Sequence, residues 1–286
     1  MWEKINKFVR SQAVFSALLL SVLFTSIITA VGILIFDLKP PVILTIYTVG
    51  QLALSGTIIW LMQNLKVFNA NDFKLKGIGK GFLLAWFGFL FNGISFFINF
   101  MSVPENSFIV PNTFYLLIVI LHPIIGTGLF EEVLYRGLVL KMLLKKTGDT
   151  KKGIIFACII SSVVFGLVAH IPNLLAGTRT YLQTVNQIIT AITAGLFFAA
   201  VFVRTKKLWI TILLHGLLNL SAQIFDAITS MDLVVQNAEQ TGTDIGGYIF
   251  MTLLEALPIL IAGLILLRKA IPDEIPNKKD IVSNQS

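Results

Sequence analysis

Glu131, Glu132 and Arg136 stand inside a run that is otherwise built to cross a membrane. Thr113 to Phe130 before them is almost all apolar, and Gly137 to Leu144 after them is apolar apart from Lys141. A charge at the centre of a spanning helix costs about 2.5–3.5 kcal/mol on insertion scales. Three such groups must therefore be paired, hydrated or used. Glu132 and Arg136 are four residues apart and share a helix face, which suits an ion pair. Glu131 is rotated by about 100° from its neighbour and is free to face something else. The pattern thus separates a structural carboxylate from one that could do chemistry. The same residues also allow a plain Glu–Arg clamp at the membrane surface, with Glu131 reaching water.

Three further polar groups lie in other apolar runs. His170 precedes Ile171, Pro172 and Asn173 near the end of one run. His215 and Asn219 lie four apart in another, on one helix face, so an imidazole and a carboxamide can point into one cavity. Each taken alone also reads as a cap, a packing residue or interhelical glue. His122 with Pro123, Asn92, Asn99, Asp226 and Glu255 with Pro258 are read as packing groups, kink partners or interface residues.

The elements that must carry these groups follow from composition. Of 286 residues, 56% are hydrophobic and 13% charged, about half the charge of a soluble domain. Eight apolar runs are long enough to span, at roughly 13–36, 41–63, 81–103, 113–140, 154–171, 186–203, 208–228 and 248–267. Long, uniformly apolar runs in lipid must be helices, because their backbone groups bond within the segment. The fold class is therefore all-α: a polytopic membrane protein of about eight transmembrane helices. All but three of the 22 basic residues fall at the N-terminus, in alternate loops or after the last run, which puts both termini in the cytoplasm. That placement explains the formal charge of +7 without a nucleic acid partner. The first run follows a basic start, yet it is long for a signal segment and reads as a retained helix. The single cysteine, Cys158, lies in an apolar run and reads as packing.

Four regions result. Residues 1–112 form an N-terminal three-helix region and 113–228 a core carrying the polar motifs. Residues 229–270 comprise an acidic outside loop (Asp232, Glu239, Asp244) and the last span. Residues 271–286, with two prolines and many polar side chains, read as a disordered tail.

Taken together, the Glu131-Glu132…Arg136, His170 and His215…Asn219 motifs on separate spans resemble the CAAX protease and bacteriocin-processing family of intramembrane proteases (CPBP, or Abi). That family includes the type II CAAX prenyl endopeptidase. The resemblance covers about residues 113–222. It implies an intramembrane endopeptidase in which Glu131 acts as general base with His170 beside it. His215 and Asn219 would donate to the oxyanion, and Glu132 with Arg136 would support the helix. It implies a peptide or protein substrate, the lipid bilayer as surroundings, and an integral location, read here as a bacterial plasma membrane. A metal-free mechanism is favoured over zinc, because HExxH is absent; a zinc would be held by Glu131, His170 and His215. The alternative is a non-catalytic immunity or regulatory protein that binds a membrane protein partner. A transporter is disfavoured by the lack of internal repeats.

One departure from the family pattern stands out. The second motif runs Phe165-Gly166-Leu167-Val168-Ala169-His170, with four residues between Phe and His where the family has three, so Gly166 holds the family's Phe place. A π-bulge in this helix would absorb the extra residue; otherwise His170 aligns and the Phe does not.

The topology is testable by itself. Reporters fused near Lys4 and after Lys269 should both read cytoplasmic, and one inserted at Lys39 should read the opposite side. Termini on opposite sides would break the eight-span count.

Overall fold

The computed structural model describes residues 1–104, 107–175, 180–229 and 245–270. The acidic loop residues Asp232, Glu239 and Asp244, Arg179, and the tail 271–286 lie outside the described residues. Among those described the chain is helical, with one isolated bridge between Phe108 and Thr229.

Eight spans are present, as the apolar runs require, and the chain is a multi-pass membrane protein. The short amphipathic α1 (Trp2–Ser11) comes first. It rests its Trp2 edge-on against Trp60, 5.6 Å between ring centroids, and Asn6 donates to the Asn64 carbonyl at 2.9 Å. α2 (Ala13–Ile35), α3 (Pro40–Asn64) and α4 (Ile78–Met101) follow. They expose large apolar side chains such as Leu19, Trp60, Leu83 and Phe97, which suits a lipid-facing surface.

The fourth span is one long rod, Thr113–Thr147. It is composite: α5 (Thr113–Leu121), a π-helical stretch His122–Gly128, a short α6 (Leu129–Glu132), a second π-helical stretch Val133–Leu140, and α7 (Lys141–Thr147). Asn112 starts it by accepting the Tyr115 N–H at 2.8 Å. Pro123 has no N–H to offer the helix, which favours irregular winding there. Every residue from Val133 to Leu140 is buried. A helix apolar all round is a central helix, and this one packs against α2, α3, α8, α9 and α10.

α8 (Lys151–Leu175) and α9 (Tyr181–Thr205) form a close pair, α10 (Leu208–Ile228) lies along the fourth span, and α11 (Ile245–Arg268) packs on α9. Thr180 and Gln183 form a reciprocal capping box at the start of α9. Lys206, in the left-handed region at φ 53°, ends α9 and lets α10 begin two residues later. Cys158 is buried and makes no disulfide.

Of the two alternatives for the second motif, the π-turn in α8 is not present; π-winding falls in the glutamate helix, on either side of the carboxylates. Lys141 is also not a loop cation. The helix continues to Thr147, and Lys141 is buried to 15% exposure against Asp72, with a further bond to the Val67 carbonyl at 3.1 Å. Asp72 sits on a single 3-10 turn, Ala70–Phe73, and the Trp209 indole donates to Phe73 O at 2.7 Å. This short segment fills the step left where the fourth span runs past the start of α10. Burial raises the Asp72 carboxyl above the usual range, and Lys141 beside it offsets part of that.

The Asp72–Lys141 contact should carry stability. Asp72→Ala leaves a buried ammonium without its carboxylate, a loss of about 3 kcal/mol, less whatever water reaching Lys141 recovers. Thermal unfolding of the purified protein in detergent should shift down by several degrees; an unchanged midpoint would show the pair contributes nothing.

Candidate active site

The close approach of α10 to the fourth span is set by two glycines. A Cβ on Gly216 would meet the Ile124 Cα at 2.7 Å, and one on Gly128 would meet the Pro123 and Ile212 carbonyl oxygens at 2.8 and 3.1 Å. Backbone therefore lies on backbone at this crossing, and His215 is delivered directly over the two glutamates.

His215 touches both. Its Nε2 lies 3.3 Å from Glu131 Oε2, and its Nδ1 lies 3.0 Å from Glu132 Oε1. The same Glu132 oxygen receives the Arg136 guanidinium at 2.7 Å. The result is a chain of alternating sign, Arg136–Glu132–His215–Glu131. Each imidazole nitrogen faces a carboxylate oxygen, so each contact needs a proton between its two atoms. Glu132 is fully buried, whereas the Glu131 side chain keeps 18% of its surface exposed. The division into a supporting and an accessible carboxylate, expected from the helix geometry, is what the burial reports.

Arg136 is held by groups the sequence gave no signal for. Its guanidinium lies over the Phe165 ring at 4.9 Å and the Phe198 ring at 5.3 Å, and it donates to the Gly195 carbonyl at 3.1 Å. A planar cation between two aromatic faces gains cation–π attraction that is strongest when dry. The same rings flank His215, with centroids at 5.7 Å for Phe165 and 5.4 Å for Phe198.

This accounts for the departure in the second motif. Gly166, at the family's Phe place, is where α8 meets α9: a Cβ there would lie 2.4 Å from Ile192 Cγ1 and 3.0 Å from the Ile188 carbonyl. A Phe could not be housed there. Phe165 instead turns inward, packing on Tyr135 at 4.9 Å as well as on Arg136 and His215, and its ring also reaches the His170 ring at 5.9 Å. α8 stays α-helical throughout, and the two side chains span the angle between them.

A cavity of about 310 Å³ opens beside this cluster. His170, His215 and Asn219 line it together, with Phe165 between the histidines. Glu131 is not among the lining residues and reaches the cavity through His215. Asn219 makes no side-chain hydrogen bond among the described residues, so its amide is available to a ligand. As for a metal, no group of three or more His, Cys, Asp or Glu side chains is arranged to hold one among the described residues. Both ring nitrogens of His215 face carboxylates. The set Glu131, His170 and His215 therefore does not fit a zinc as placed.

Other polar groups in the spans have the interhelical roles the sequence suggested. Asn92 and Asn99 on α4 donate to the Leu214 and Ser221 carbonyls of α10 at 2.8 and 2.7 Å. His122 is tied to Thr48 at 3.0 Å and to Thr127 at 3.3 Å, which pins the first π-stretch to α3.

Fold and site thus define a multi-pass helical membrane protein with a buried polar cluster of Arg136, Glu132, His215 and Glu131 beside a cavity. Residues 112–221 of the chain match the family model described as type II CAAX prenyl endopeptidase Rce1-like. The candidate membrane peptidase YdiL of Bacillus subtilis (strain 168) is 30% identical over 132 residues, 46% of this chain and 46% of that protein. The match spans about half of each chain, and the resemblance drawn from the motifs holds over that half. No solved structure matches the chain.

The cluster predicts a stability asymmetry. Arg136→Ala should cost about 3–5 kcal/mol, since it strands Glu132 in a dry site. Arg136→Lys should restore only part of this, because an ammonium cannot stack between two rings as the guanidinium does. Melting temperatures in detergent should order wild type above Lys above Ala; equal values for all three would contradict the assignment.

Proposed function

We propose that the chain is an intramembrane endopeptidase that cuts a peptide bond with water activated at Glu131. The observation that carries this reading is His215: one imidazole holds the fixed carboxylate Glu132 on one nitrogen and the accessible Glu131 on the other, and lines a cavity with His170 and Asn219. The family-model match and the peptidase relative support the same reaction class.

Glu131 takes a proton from water as the oxygen attacks the carbonyl carbon of the substrate. His170 orients that water from the cavity wall. The carbonyl oxygen becomes an oxyanion, and the free amide of Asn219 donates to it. Once Glu131 is protonated and neutral, its hold on the His215 Nε2–H weakens, and that N–H turns to the oxyanion as a second donor. Collapse of the intermediate breaks the C–N bond, and the proton on Glu131 passes to the leaving amine. Glu132 and Arg136 do not touch substrate; they fix the position and charge of His215. No step calls for a metal ion.

The alternative, a regulatory or immunity protein acting by binding, uses the same cluster as a structural clamp. Substitution separates the two. Glu131→Gln should lower cleavage by about 10²–10⁴-fold, and Asn219→Ala by about 10²–10³-fold in kcat, with membrane insertion and melting temperature retained. Variants that insert normally and cleave like wild type would sink the enzyme reading. Full activity after chelation, with metal content below the protein concentration, is the expected result; activity lost to chelator and restored by zinc would overturn the metal-free mechanism.

A further inference from the structure

The cavity extends away from His215 to a carboxylate that the mechanism leaves unused. Glu255 on α11 is exposed and lines the same cavity as His170, His215 and Asn219. Among the lining residues it is the one carboxylate, and no Lys or Arg joins it. It has no hydrogen bond or ion pair within the described residues. A carboxylate at mid-span without a partner is a costly residue, and such groups mark binding sites or pathways. Glu255 is the cavity carboxylate that the His215 cluster does not engage.

The neutral lining has the same bias. Asn92 and Asn99 direct their amide N–H groups into α10 carbonyls, which leaves their carbonyl oxygens as acceptors. Thr190, Thr193 and Ser221 direct their hydroxyl protons into carbonyls of their own helices. Pro258 has no N–H for the Leu254 carbonyl, which adds an acceptor one residue from Glu255. Away from the side chains of Asn219, Gln187 and Ser95, then, the lining offers acceptors and one carboxylate. A donor-rich cation satisfies both.

Counting along the helices places the site. His215 lies seven residues, about 11 Å, from Leu208 at the basic end of α10; Glu255 lies 13 residues, about 20 Å, from Arg268 at the basic end of α11. The difference in depth, about 9 Å along the helix axes, corresponds to some three residues of extended chain.

We infer that Glu255 selects peptide substrates carrying a cationic nitrogen, within about three residues of the bond that is cut. The nitrogen is that of a Lys or Arg side chain or of a free amino terminus. This deepens the peptidase reading above and rests on it.

The test uses the full chain in lipid nanodiscs and short fluorescent peptides that differ at one position: Lys, its uncharged isostere norleucine, or Glu, each with a free or acetylated amino terminus. Binding is measured to the Glu131→Gln protein and cleavage with the wild type. The Lys peptide should bind about tenfold or more tightly than the norleucine peptide. In the Glu131→Gln background, Glu255→Gln should abolish that preference, and Glu255→Lys should shift it to the Glu peptide. If only the amino-terminal state matters, the cation is the terminus; if only the side chain matters, it is Lys or Arg. Equal binding of Lys and norleucine peptides with both termini would overturn the inference, and needs no Glu255 variant to fold. A charge preference in binding without any cleavage by wild type would leave Glu255 standing and sink the peptidase reading instead.

Discussion

Everything in this structure depends on keeping an arginine and one glutamate dry. Glu132 and Arg136 are 0% and 1% exposed, and a pair so placed depends on further contacts to offset its desolvation. The second carboxylate partner is His215, the aromatic walls are Phe165 and Phe198, and the remaining acceptor is Gly195 O. These come from three further spans, so satisfying one ion pair fixes α8, α9 and α10 around the fourth span. The glycines at 128, 195 and 216 are the corollary, since side chains there would hold the helices too far apart for the contacts to form.

The π-winding belongs to the same constraint. Wider turns on both sides of Leu129–Glu132 change which face of the rod meets α10, while Glu132 and Arg136 still lie four apart and paired. π-turns inside α-helices frequently accompany functional sites. Here they adjoin the carboxylates, and the His122–Thr48 and Gln51–Thr127 contacts hold the first of them against α3.

Much of this was legible in the sequence. The apolar runs gave the eight spans because length and composition alone decide what can cross a bilayer. The Glu132–Arg136 pair followed from i,i+4 geometry, and the burial difference between Glu131 and Glu132 from their rotation about the axis. What could not be read was anything set by packing between spans. That one histidine would meet both glutamates depends on the Gly216–Ile124 approach, which has no local signature. The place of the π-turns was missed for a similar reason: the extra residue before His170 drew attention to α8, but Gly166 and Phe165 absorb it by side-chain exchange. Lys141 was assigned to a loop because its charge outweighed the helical pattern around it, and Asp72, its partner, lies 69 residues away.

The arrangement at the heart of the site is that His215 is bonded through both ring nitrogens, with one carboxylate facing each. Selective ¹⁵N labelling of the histidines, with His122 and His170 assigned by substitution, reads this directly in the full-length protein in nanodiscs at neutral pH. Both His215 nitrogens should give hydrogen-bonded signals, with Glu132→Gln moving the Nδ1 signal and Glu131→Gln the Nε2 signal. His215 signals that neither substitution moves would contradict it.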